Sequence, residues 1–179
     1  MLIDNPCKRL CIEKARETLR VRDKAKWYDS LMDDSKNVLN GNKLRTYRQF
    51  KNTLETEPYV LANISRYQRR ILAKFRCGNL PLHVETGRYT KPKTPLSDRL
   101  CKYCTLNLVE DETHFLINCD FYDDIRLNLF TLASSFDNAF SDFTTTEKLI
   151  FLMKTPELQG QTAKTLHAMF RRRQLCLPV

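Results

Sequence analysis

This sequence predicts a mainly α-helical fold, a bundle-like array of helices with one small metal-binding module inserted among them. Three observations carry that prediction. Apolar residues recur at steps of three and four in several separate stretches, which is the spacing of one helix face. Only four of the 179 residues are glycine, while the helix-favouring Leu, Lys, Arg and Glu are plentiful. Between residues 101 and 119, three cysteines and a histidine fall in the order C-x2-C, nine residues, H-x4-C.

Asn5-Pro6 is a helix start, with Asn as cap and Pro in the first position. The helix runs to about Met32, with Cys7, Cys11, Ala15, Leu19, Ala25, Tyr28 and Met32 on its apolar face. Asn40-Gly41-Asn42 marks a turn. Leu44, Tyr47, Phe50 and Leu54 then space out an amphipathic helix, and Glu57-Pro58 opens a short helical turn carrying Tyr59 and Leu61. Ile64, Tyr67, Ile71, Leu72 and Phe75 form the clearest stripe in the chain, stopped by Gly78-Asn79. From Leu80 to Leu100 the prolines Pro81, Pro92 and Pro95 leave no helical period. An extended linker is expected there, with one short strand near His83 to Glu85. After the module, Tyr122, Ile125, Leu129, Ala133 and Phe136 mark a helix that Asp120 can cap. Thr144 to Thr146 caps another (Leu149 to Met153), and Thr155-Pro156 begins the last, which reaches about Arg173. The expected organisation is a basic N-terminal helix region (1–40), a basic helical segment with a proline-containing linker (41–99), the metal module (100–122) and C-terminal helices (123–179).

The module is read from its ligand types. A C-x2-C pair grips one ion from a tight turn, and His114 with Cys119 completes a tetrahedron of soft donors suited to Zn2+. Cys101, Cys104, His114 and Cys119 fill all four positions, so the site is structural rather than catalytic. A short β-hairpin after Cys104 and a helical turn carrying His114 should present them. Five residues separate His114 from Cys119, which puts them on different faces of an α-helix, so the helix must break before Cys119.

Composition bounds the rest. With 42% apolar and 28% charged residues a folded protein is expected. No apolar run approaches the ~20 residues of a membrane span, and the N-terminus lacks a signal-peptide core. Seven cysteines, four of them scattered, suit a reducing compartment, hence an intracellular protein, nuclear or cytoplasmic. The net charge of +9 is unevenly placed: residues 43–99 hold 13 basic and 4 acidic residues, residues 101–143 hold 2 and 8. A basic block points to a polyanion partner, and the acidic module is a poor grip for phosphates. Arg66, Arg69, Arg70 and Lys74 on one helix, with Arg88, Lys91 and Lys93 in the linker, are the candidate nucleic-acid contacts, beside Tyr67 and Tyr89 for stacking. Arg171-Arg172-Arg173 reads as a solvated cap at a helix C-terminus.

No catalytic constellation is found. Ser30 to Asp34 resembles the Y-x-D-D signature of polymerase palms, but its acids end a helical pattern and no palm precedes them. His83 and His167 are isolated, and no glycine-rich phosphate loop occurs. Neither an enzyme nor a small-molecule binding protein is expected.

One succession suggests a family. Asn42-Lys43-Leu44-Arg45-Thr46-Tyr47-Arg48-x-Phe50-Lys51 is followed by Arg70-x-Leu72-Ala73-Lys74-x-Arg76, then Glu85-x-Gly87-Arg88-Tyr89. Cys101-x-x-Cys104, Val109-Glu110-Asp111-Glu112-x-His114-Phe115-Leu116 and Cys119 complete it. This resembles the C-terminal region of non-LTR (LINE-like) retrotransposon polyproteins, most clearly from Lys43 to Arg126. The resemblance implies that Cys101, Cys104, His114 and Cys119 bind zinc, and that the region helps its polyprotein engage RNA or DNA alongside the reverse transcriptase core. It carries over neither polymerase nor endonuclease activity, and makes the chain a fragment or remnant of such a protein. The rival expectation is a zinc-stapled protein-interaction scaffold docking on the polymerase body, with its arginines merely solvated.

Overall fold

The computed structural model of the protein describes residues 6–33 and 43–176, so the Asn40-Gly41-Asn42 turn lies outside the described residues. Helix α1 (Pro6–Met32) begins on its proline and runs 27 residues. Its side chains from Arg9 onward are almost all exposed; Leu31 is buried and Trp27 half-buried.

Helix α2 (Tyr47–Phe50) is much shorter than the Leu44-to-Leu54 spacing suggests. The backbone turns extended at Lys51, whose ammonium bonds the Glu55 carbonyl at 2.5 Å and pairs with Glu57 at 3.1 Å. A buried cation fixed to downstream partners thus overrides the helical period, and Leu54 stays exposed. Helix α3 (Pro58–Leu61) is the expected turn.

Helix α4 (Arg66–Arg76) opens with a full capping box: Ser65 accepts from the Gln68 N–H and Gln68 answers to the Ser65 N–H. It stops at Gly78, where φ is +61°. A Cβ there would also lie 2.5 Å from the Lys43 carbonyl, so only glycine fits.

Residues His83–Thr86 form a helical turn, α5, instead of the expected strand. The reason is tertiary. The Glu110 carboxylate accepts from the His83 N–H at 2.7 Å and the Glu110 carbonyl from the Val84 N–H at 3.1 Å, capping the turn from 27 residues away. The proline-containing segment that follows is wrapped around Arg99, which is fully buried. Its guanidinium donates to the Thr94 carbonyl at 2.8 and 2.9 Å and to the Val84 carbonyl at 2.9 Å. At Gly87 a Cβ would sit 2.8 Å from the Arg99 side chain, so this glycine makes room for the arginine.

No β-strand occurs among the described residues, and the expected hairpin of the module is reduced to one antiparallel bridge, Leu100 to Val109. Two hydrogen bonds flank it, Cys101 N–H to Leu108 O (2.8 Å) and Glu110 N–H to Arg99 O (2.9 Å). The ladder ends there because residues 102–106 curl back around the cysteines. His114–Asn118 form a π-helical turn and Asp120–Tyr122 a 3-10 turn. Helix α6 (Asp123–Phe136) therefore starts three residues beyond Asp120, which caps nothing with its side chain. Helix α7 (Thr145–Lys154) has Thr144 and Glu147 in a second capping box, and α8 (Gln159–Leu175) follows a 3-10 turn at Pro156–Leu158.

Helix α8 packs on α4 and α6, while α7 packs on α2 and on the π turn. One buried cluster runs from Phe50 to Met169. It joins Leu72 and Phe75 of α4, Leu82 and Val84, Phe115 and Leu116 of the module, Leu129 of α6, Leu149 and Leu152 of α7, and Leu166 of α8. The described parts of the three later segments (43–99, 100–122 and 123–176) thus contribute to one core, and no α1 side chain among those described joins that cluster.

Candidate metal centre and basic surface

The four donors meet. The ligand atoms of Cys101, Cys104, His114 and Cys119 all lie within 4.8 Å of one another, so these residues can hold a metal ion. Sγ of Cys101 is 3.8 Å from Sγ of Cys119, and Sγ of Cys104 is 3.4 Å from Nε2 of His114. A disulfide would need about 2.05 Å.

The π turn solves the spacing problem between His114 and Cys119. An i to i+5 hydrogen bond, Cys119 N–H to His114 O at 2.8 Å, widens the helix by one residue and brings the two side chains to one side. The chain then turns extended at Cys119, where ψ is 114°. The carbonyls stranded by this exit are satisfied by Arg126, which is 3% exposed and donates to Leu116 O and Cys119 O while pairing with Asp123. At the entrance, Asp111 accepts from the His114 N–H at 2.7 Å.

Backbone N–H groups point at the sulfurs. Tyr103 N–H lies 3.5 Å from the Cys101 sulfur, and the N–H groups of Leu106 and Phe121 donate to Cys104 and Cys119. The Cys101 thiol is held down at about 3, chiefly by the hydrogen bond from Cys119. The same bond pushes Cys119 up, and burial pushes Cys104 up. Three crowded sulfurs share their protons, and a cation is what lets all three ionise together. His114 Nδ1 is buried and has no hydrogen-bond partner among the described residues, so the packing around it orients the ring.

The module is tied to the rest by buried ion pairs that sequence reasoning missed. Glu112 is fully buried and accepts from Arg45 at 2.8 and 2.9 Å and from Thr46 at 2.7 Å, across 67 and 66 residues. Glu110 pairs with Arg173, whose guanidinium also lies 4.5 Å over the Tyr103 ring. Burial raises the pKa of both carboxyls against the pull of these arginines. Glu85 pairs with Lys43 at 2.9 Å and with Arg88 at 3.1 Å. The one available signal was charge: a basic block and an acidic module in one chain are complementary. Two members of the C-terminal arginine triplet are thereby corrected from solvated caps to structural groups. Arg173 is held as above, and Arg172 grips Asp124 at 2.5 and 2.6 Å.

The expected nucleic-acid contacts separate into two groups. Arg69 donates to the Ala62 and Ile64 carbonyls, closing the turn before α4, and Arg88 is engaged with Glu85. Arg66, Arg70, Lys91 and Lys93 are exposed and Lys74 is half-buried, with no acid in ion-pair reach among the described residues. Arg70 and Lys74 share one face of α4, with Tyr67 beside them. His83 makes a structural bond to Leu100 O at 2.8 Å, and His167 packs against Tyr67.

No protein-family model, curated protein or solved structure matches the chain. No helix among the described residues is long and apolar enough to cross a membrane.

Proposed function

We propose that this chain is a non-catalytic, zinc-stapled nucleic-acid-binding module of the kind found at the C-terminal end of non-LTR retrotransposon reverse transcriptase proteins. Zinc suits the donor set: three thiolates and an imidazole favour a soft, tetrahedral ion. The edges of a tetrahedron with Zn–S bonds of about 2.3 Å come to about 3.8 Å, close to the Cys101–Cys119 separation. Bound there, the ion would cross-link the knuckle at Cys101 and Cys104 to the π turn, with no open position for substrate.

The observation that carries the binding reading is how charge is disposed. The module's buried acids are neutralised by Arg45 and Arg173, and Glu57 by Lys51 and Arg76. Other cations of the basic block, Arg66, Arg70, Lys91 and Lys93, stay exposed, so part of the net charge of +9 faces outward. The residues that carry the resemblance in motif order have structural jobs in this fold. Lys43, Arg45 and Thr46 meet Glu85 and Glu112, and Gly87 accommodates Arg99.

Binding of labelled RNA and DNA oligonucleotides to the metal-loaded chain tests the proposal. Affinity should fall linearly on a log–log salt plot. Reversing Arg66, Arg70 and Lys74 to Glu should flatten the slope by about 2–3 while the melting curve is kept. Salt-insensitive or undetectable binding to both nucleic acids sinks it. The scaffold reading draws on exposed Leu127 and Phe136 of α6, and predicts that the triple reversal changes no nucleic-acid affinity.

A further inference from the structure

A groove of about 260 Å3 opens between α4 and α8. Buried Ile71 and Leu80, the rings of Tyr67 and Phe170, and the cations Arg70 and Lys74 line it. Its volume is on the scale of a single flat ring system and below the roughly 300–1,000 Å3 of drug-sized ligand sites.

The two ring positions differ in how they are held. Tyr67 is fixed by an edge contact to His167, with centroids 4.7 Å apart and planes at 70°, and is still 50% exposed. Phe170 is half-buried on α8. An aromatic ring fixed by a T-shaped contact and half open to solvent offers a stacking platform, which costs little conformational entropy to use. Arg70 and Lys74 are four residues apart on α4, one helical turn or about 6 Å along its axis. This places two cations in file beside the platform.

We infer that this groove is a base-stacking subsite for single-stranded nucleic acid, in which Tyr67 and Phe170 receive a nucleobase while Arg70 and Lys74 take flanking phosphates. The inference rests on the nucleic-acid reading above and names its substrate class. Charge complementarity selects a polyanion, and the aromatic lining selects one with accessible ring faces. In a duplex those faces are covered by neighbouring bases, and a polycarboxylate has none.

The test uses the metal-loaded full chain and four probes: a single-stranded 12-mer, its duplex, an abasic strand of equal charge, and polyglutamate. The single strand should bind tightest. The abasic strand should bind the unaltered protein about tenfold more weakly, since each stacked base contributes about 1–3 kcal/mol. Tyr67→Leu should reproduce that loss for the single strand without changing duplex affinity or the salt slope, and Tyr67→Phe should restore binding. Equal affinity for the abasic and base-bearing strands overturns the stacking subsite while leaving a phosphate-binding protein standing. So does duplex binding as tight as single-strand binding. Polyglutamate binding as tightly as the single strand overturns base recognition as well. Absence of binding to every nucleic acid removes both this inference and the reading beneath it.

Discussion

Helix α4 carries five basic residues in eleven and still buries Ile71, Leu72, Phe75 and Arg76. Helix α1 carries eight basic residues in 27, and Leu31 is its one fully buried side chain among those described. Both sequences read as amphipathic. The difference lies in what the apolar face offers. The face of α4 is built from large residues, Ile71, Leu72 and Phe75, in an unbroken stripe that α8 can cover. The face of α1 is built partly from Cys11, Ala15 and Ala25, and its larger residues Leu10, Leu19 and Val21 are exposed. Periodicity marks a helix, but the area of the stripe decides whether it is buried.

The largest effect that would sharpen this contrast comes from removing the metal. Structural zinc sites contribute about 10–16 kcal/mol of apparent binding free energy, on the order of the whole stability of a small domain. Purified protein should hold one zinc ion per chain. Chelation or Cys104→Ser should release it, collapse the cooperative melt, and raise amide exchange in α4 and α8 to the level expected of the exposed helix α1. A Cys104→Ser chain that keeps the native melt and α4 protection without metal would falsify the staple.

The next effect separates the two helices by packing alone. Phe75 has no exposed surface and joins the central cluster. Phe75→Ala should cost about 3–5 kcal/mol, for lost transfer energy plus a cavity the neighbours cannot fill. Urea denaturation of the metal-loaded protein checks this. A loss under about 1 kcal/mol would mean that α4 is not held by this core.

What was legible in the sequence follows the range of the interaction. Helices α4, α6, α7 and α8 show through because periodicity, and for α7 the cap at Thr144, act within one turn. The metal donors show through because all four fall within nineteen residues, and the demand that the helix break before Cys119 follows from spacing. The device that meets it, a π turn with Arg126 on its stranded carbonyls, leaves no sign in spacing. The strand expected at His83 to Glu85 was lost to a carboxylate 27 residues away, and the helix expected through Leu54 to the partners of Lys51. Arg45–Glu112 and Arg173–Glu110 span 67 and 63 residues. Composition shows only that opposite charges sit in neighbouring blocks, and burial by the fold turns that asymmetry into specific pairs.

The smallest effect is the one most able to break the comparison. Leu19 shares helical spacing with Ala15 on the face that reads as apolar, yet it is 47% exposed. If α1 stands outside the core, Leu19→Ala removes little buried area and trades leucine for the best helix former, so stability should change by less than about 0.5 kcal/mol. The same truncation of a buried leucine would cost about 2–5 kcal/mol. Paired denaturation curves for Leu19→Ala and Leu72→Ala, both metal-loaded, measure the gap directly, because Leu72 is fully buried on α4. Equal losses would show that α1 lies against the body in solution, and the distinction between a packed and an unpacked basic helix would then fall.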